Sequence, residues 1–275
     1  MSTQDLPLRD VAGPTALGGG WRRSLDLLYL MAVTEFKRTY FGTVLGYLWS
    51  LCRPLLLFAV MLVVFTHLLR FSNVAHYPVL LLMNIVLFGF FSEATNSAVP
   101  SIVSNEAIVR KTQFPRLVIP LSVVLTAAFN LSLNLVVVFA FILGFGITPM
   151  WTWLLLPVLV AALVLLAVAV SMLLSSLYPR FRDVAIIWTV ISTALFYASP
   201  VLYPLQKLHG AIQTVVALNP LTPILELARR WLIDPRAPVS GGVLRIAVPV
   251  ALYVAIVVLA AWVFNREAPR IAEAL

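Results

Sequence analysis

Six stretches of this chain run for nearly twenty residues or more with scarcely a charge in them: 51–69, 77–99, 117–145, 153–177, 184–203 and 246–264. A helix crosses a hydrocarbon core of ~30 Å with about 20 apolar residues. Within lipid, a single helix satisfies its own backbone hydrogen bonds, whereas irregular chain does not. The expected fold class is therefore an all-α polytopic membrane protein with six transmembrane helices. The third stretch is long for one crossing, which predicts tilt or extension past the bilayer. Composition agrees: 61% of the 275 residues are hydrophobic and 11% charged, too little polar surface to cover a soluble globule.

Lysine and arginine alternate in density between the stretches. Arg9, Arg22, Arg23, Lys37 and Arg38 precede the first, and Arg53 sits at its start. Arg110, Lys111 and Arg116 lie between the second and third, Arg180 and Arg182 between the fourth and fifth, and Arg266 and Arg270 after the sixth. On the other side, the first loop carries Arg70 alone and 144–153 carries none. Basic residues stay on the cytoplasmic side, so both termini are expected there. Headgroups and topology then account for the net charge of +8, and no nucleic-acid partner is expected. Residues 1–23 read as a disordered cytoplasmic N-terminus, 24–266 as one transmembrane domain and 267–275 as a cytoplasmic tail. The external segment 204–245 departs from the pattern with Lys207, Arg229, Arg230, Arg236 and Arg245, which long external segments tolerate. It also holds apolar pieces, 205–218 and 221–233, too short to cross and therefore expected as re-entrant or interfacial helices.

Shorter signals locate candidate working parts. In 25–40, Leu25, Leu28, Tyr29, Ala32, Phe36 and Tyr40 share a helical stripe, as expected of an amphipathic helix in the inner headgroup layer; an anchor and a cytoplasmic gate both fit. In 101–120, Ser104 is placed to cap a short cytoplasmic helix, with Glu106 favouring its start and Arg110 and Lys111 its end. Pro115 stops that helix by disfavouring helical geometry at Phe114. It is either a polar loop or a handle for a soluble partner. Asp183 is the expected N-cap of the fifth span. Near the outer face, Pro200, Pro204 and Pro220 break helices, Asn219-Pro220 favours a turn, and Glu226 stands in register with Arg229 and Arg230. Broken helices at membrane depth need protein or water to receive their freed backbone groups. Glu93 is the one acidic residue well inside a span, which suggests a proton relay or a buried pair with Arg53 or Arg180. Asn84, Asn96, Asn130 and Asn134 are expected to bond between helices, and Trp151 and Trp153 to form an interfacial belt.

No phosphate-binding GxxxxGK[ST] loop occurs, nor any Gly-Lys pair, so the chain has no ATP site of that kind. A single cysteine, Cys52, and three scattered histidines give no thiolate or HExxH metal site. No cofactor, catalytic or metal residue is expected in this chain.

Taken in order, KRTYFGTVLGYLWSLCRPLL (37–56), NEAIVRKTQFPRLVIPLS (105–122), FRDV (181–184), SPVLYP (199–204) and LNPLTPILELAR (218–229) resemble the permease of ABC-2 type polysaccharide exporters. That family covers transporters of O-antigen, teichoic acid, capsule and galactan. The resemblance implies a bacterial cytoplasmic-membrane homodimer, with two copies of a separate ABC nucleotide-binding subunit supplying ATP and Mg. It implies no enzyme activity in this chain itself and a polyprenyl-pyrophosphate-linked glycan as cargo. The family's coupling helix maps to 104–114, with Ser104, Asn105, Glu106, Val109, Arg110 and Lys111 as contact residues. Its gate helix maps to 25–40, where Lys37, Arg38 and Tyr40 would meet the pyrophosphate, and its re-entrant helices to 204–233. Aromatic channel linings point to Phe88, Phe91, Tyr197 and Tyr203. Two rivals remain at this level: an ABC-2 exporter of a small amphiphile or drug, and an integral membrane glycosyl- or phospho-transferase. The latter commonly needs an acidic metal-binding cluster, for which no DxxD pattern is present.

Overall fold

The structure, a computed structural model, describes residues 21–40, 46, 48–68, 74–106, 116–239 and 242–267. Among the described residues all regular structure is helical. Trp21–Tyr40 forms α1. Leu48–Val63 forms α2, extended by a π-helical turn at Val64–Leu68. Tyr77–Ala98 is α3 and Ser101–Ser104 a single turn, α4. Val118–Gly144 is α5; Leu156–Leu177, led in by a 3₁₀ turn at Trp151–Leu155, is α6. Val184–Ala198 is α7, Gly210–Ala217 α8, Thr222–Leu232 α9 and Val243–Glu267 α10. Of the expected terminal segments 1–23 and 267–275, residues 1–20 and 268–275 lie outside the described residues; residues 21–23 are not a free lead-in but the first turn of α1, and Glu267 is the last residue of α10.

Among the described residues, five helices are long and apolar enough to cross a membrane: α2 with its π turn, α3, α5, α6 with its lead-in, and α10. The expected fifth span is shorter than its sequence suggested. α7 has 15 residues, about 22 Å of rise against the ~30 Å of a hydrocarbon core. Pro200 is the cause, because it disfavours helical geometry at the residue before it. Ser199 is accordingly extended, at φ −104° and ψ 154°, and residues 199–203 leave the helix. Asp183 stands at the cap position of α7, but it is itself helical and its side chain makes no capping bond there. Beyond α7, α8 and α9 meet at 89° across a short break. At 8 and 11 residues, neither crosses alone.

α3 organises the bundle. Its apolar residues surround the helix instead of forming one stripe, and it is buried almost throughout. It packs on α5, α6, α2 and α7, while α10 lies along α6 and α1 along α5. α2 and α10 bury few residues and leave Val60, Val63, Val250, Val258 and Trp262 exposed. Lipid solvates such faces as well as protein does, so close packing and polar contacts hold the helices together. Met31 of α1, Ile102, Ile119, Leu117, Met172 and Phe264 meet in one cluster. α1 and the last turns of α10 therefore sit at the same end of the bundle, the end that also carries Arg116, Arg180 and Arg182.

Candidate functional site

At that end, α4 turns the chain out of α3. Ser101 Oγ donates to Ala98 O at 2.7 Å, and Asn105 Nδ2 to Ser101 O at 2.8 Å, which closes the turn. Ile102 is wholly buried beneath it. Ser104 is the last residue of this turn. Asn105 and Glu106 emerge partly exposed beyond it. Val109, Arg110, Lys111 and most of the expected 104–114 helix lie outside the described residues.

The expected amphipathic segment is helical, and α1 is anchored on its small-residue side. Ala32 is fully buried against α5, where Thr126 Oγ1 donates to Ala32 O at 3.1 Å. One turn further on, Phe36 meets Phe129 edge-on with centroids 6.2 Å apart. Leu25, Tyr29 and Leu30 stay exposed, so part of the apolar stripe is available to lipid. Lys37 is exposed, and Arg38 and Tyr40 close the helix.

Glu93 is held between helices. Asn130 Nδ2 donates to its Oε1 at 2.5 Å, and the Arg53 guanidinium lies close enough for its charge to act on the carboxylate. Asn134 Nδ2 reaches Ser50 O at 3.4 Å and Asn130 O at 2.9 Å. Of the two partners expected from the sequence, Arg53 and Arg180, Arg53 is the one whose charge acts on Glu93, while the direct bond comes from Asn130. Further along α3, Ser92 Oγ and Ser192 Oγ lie 3.0 Å apart, Asn96 Nδ2 donates to Ser192 Oγ at 3.3 Å, and Trp188 Nε1 to Thr95 Oγ1 at 3.1 Å. This polar seam is how α7, with only Trp188 and Ser192 buried, is seated on α3. Thr95, Ser192 and Trp188 were not singled out in the sequence. The i, i+4 spacing of Ser92 and Asn96 is the signal that could have marked the seam.

The aromatic candidates divide. Phe88 and Phe91 are 4% and 3% exposed, enclosed in the subunit core with ring centroids 5.3 Å from Phe196 and 6.4 Å from Trp188 respectively. In this conformation neither presents a surface to a path. They fill the core because α3 is wrapped on all sides. Tyr197, on α7, is 56% exposed, and Tyr203 donates its hydroxyl to Tyr197 O at 2.7 Å. Trp151 is exposed, whereas Trp153 turns inward onto Phe139, centroids 5.1 Å apart.

The break after α7 is met by protein. Asn84 Nδ2 donates to Pro200 O at 3.0 Å and to Val201 O at 3.3 Å, and Tyr77 Oη to Leu202 O at 2.7 Å. Tyr77 and Asn84 are about two turns apart on one face of α3, and together they receive three successive freed carbonyls. Ser199 Oγ accepts from Asn219 Nδ2 at 2.8 Å, while Asn219 Oδ1 accepts from Leu221 N at 3.0 Å. The latter bond makes the Asn219-Pro220 turn, and Pro223 follows in the first turn of α9. Glu226 is buried on α9. Arg229 Nη1 donates to Gln206 Oε1 at 3.0 Å and lies in the field of Asp234 and Glu226. Arg230, its expected companion, points to the exposed side.

A family model for the ABC-2 type transporter matches residues 26–232. The chain belongs to the ABC-2 type transporter family. It is a multi-pass membrane protein of the permease kind. It is 28% identical over 251 residues to the O-antigen export system permease protein RfbA of Myxococcus xanthus, covering 90% of this chain and 95% of that one. It is 27% identical over 254 residues to a protein of the same name from Klebsiella pneumoniae, with 91% and 95% covered. The polysialic acid transport protein KpsM of Escherichia coli is 24% identical over 220 residues, with 75% and 80% covered. The match begins within α1 and ends with α9.

Proposed function

We propose that this chain is the transmembrane subunit of an ATP-driven ABC exporter, and that it moves a polyprenyl-pyrophosphate-linked polysaccharide from the cytoplasm to the outside. The observation that carries this reading is its similarity, over nearly the whole length of both chains, to permeases of O-antigen export systems. Two copies work as a homodimer with two copies of a separate nucleotide-binding subunit, which holds ATP and Mg.

The basic end of the bundle faces the cytoplasm, with both termini on that side; the shared cluster of α1, α4 and α10 supports this placement. The protein then lies in the bacterial cytoplasmic membrane. α8 and α9, bent at 89°, form a re-entrant hairpin at the outer end. Lys37 and Arg38, at the end of α1, meet the pyrophosphate through charge-assisted contacts. The 104–114 segment takes the push of the ATP-binding subunit. Because Ile102 of α4 packs with Ile119 of α5, Met172 of α6 and Phe264 of α10, displacement there moves packed helices as bodies between two arrangements. Sugar leaves along exposed aromatics such as Tyr197, with no covalent change.

The test is deletion of the chain from its native cell, followed by complementation. Lipid-linked glycan should then accumulate on the cytoplasmic leaflet and return to the surface only when both permease and ATP-binding subunit are restored. ATPase stimulated by small hydrophobic compounds, and not by lipid-linked glycan, would replace this reading with export of a small amphiphile.

A further inference from the structure

A small cleft opens at the outer end between α3, the connection after α7, and α9. Leu80, Asn84, Pro204, Leu225, Glu226 and Arg229 contribute to its wall. Asn84, only 2% exposed, forms its most enclosed polar part. The orientation of that amide is fixed by its neighbours. Two carbonyls, Pro200 O and Val201 O, face the nitrogen, and a carbonyl takes only a donor. The amide oxygen is therefore turned away from them. It is fully buried and has no hydrogen-bond partner within the protein. Buried acceptors of this kind are normally satisfied, and polar cavities, unlike apolar ones, hold water.

We propose that this cleft is a binding site for a single hydroxyl donor, which gives its O–H to Asn84 Oδ1. In the conformation described that donor is water; during export it is a hydroxyl of the passing carbohydrate. The interior admits about one water-sized sphere. Charged ligands are disfavoured from both directions. A cation would meet the Arg229 guanidinium, and an anion would meet the Glu226 carboxylate and the Asn84 oxygen. A neutral O–H has a donor for Asn84 Oδ1 and lone pairs for Arg229. The site sits on the side chain that holds the broken backbone after α7, so an occupant there bears directly on how that segment is fastened. The carbohydrate half of this inference rests on the polysaccharide-export reading; the water half does not.

The experiment is X-ray hydroxyl-radical footprinting of the assembled transporter in lipid nanodiscs, read by mass spectrometry. Radicals made from bound water label the side chains beside it. Leu80 lines the cleft, while Leu81 and Leu82, its equally buried neighbours, are not among its lining residues. Leu80 and Leu225 should label several-fold more than Leu81 and Leu82, and Asn84→Leu should bring them down to that level. Maltotetraose, as a neutral glycan probe, should suppress the labelling of Leu80. Full labelling in its presence would overturn the carbohydrate half and leave water as the occupant. Wild-type labelling of Leu80 no higher than that of Leu81 would overturn the site altogether, whether or not the variant folds. Strong labelling in a transporter that fails to export glycan would count against the export reading and not against the site.

Discussion

Asn84 and Glu93 lie on the same helix, both polar, and have different tasks. Asn84 holds two carbonyls that Pro200 has released from helical bonding. Replacing it with leucine leaves both without that donor in a buried setting, at a cost of about 1–3 kcal/mol for each group left unsatisfied. Asn84→Leu should therefore lower the thermal midpoint of the detergent-purified protein by several degrees; an unchanged midpoint would mean the break is fastened elsewhere. Glu93 accepts from Asn130 with Arg53 nearby. A glutamine there keeps the acceptor oxygen and the volume. If Glu93 ties helices together, Glu93→Gln should export at close to the wild-type rate, whereas a proton relay would fail outright. Glycan export by the variant at several pH values separates the two.

Among the elements, α1 and α4 connect the basic end of the bundle to the core. α1 approaches α5 closely only because residue 32 is alanine. A phenylalanine at that position overpacks the seam, which typically costs about 1–3 kcal/mol. Ala32→Phe should lift α1 from α5, seen as faster proteolysis of the N-terminal segment, with export reduced. Reversal of Arg110 and Lys111 to glutamate should uncouple the partner's ATPase from substrate, measured as loss of glycan-stimulated hydrolysis in the assembled complex; retained coupling would show that 104–114 is not the handle. The long spans were legible in sequence because apolar length is a direct readout of bilayer thickness. α7 was misjudged in length: hydropathy continues through Val201 and Leu202, while Pro200 ends the helix, and backbone geometry outranks hydropathy there. That Phe88 and Phe91 lie within the subunit core was not legible for a related reason. With apolar residues on every side, α3 gives no periodicity from which to choose an inward or outward face. The seam of Trp188, Thr95 and Ser192 escaped because it joins residues about a hundred positions apart, which local spacing does not connect.

For the whole molecule, the described residues include five helices of spanning length and hydropathy, one shorter apolar helix and one bent helix pair, in a bundle whose outer helices bury little. Faces such as those of α2 and α7 are free to meet lipid, a second copy or a passing polymer. Nothing in the chain has the sequence of an ATP-binding loop. The proposed function makes transport a property of an assembly, in which two permeases supply the path and a separate ATPase supplies the work. The most direct test is reconstitution in proteoliposomes, with lipid-linked glycan loaded on one leaflet and its appearance on the other followed by lectin accessibility. The account predicts translocation only when permease, ATP-binding subunit, ATP and Mg are all present, with the permease cross-linking as a dimer. Translocation by the isolated chain, or none by the complete assembly, would contradict it.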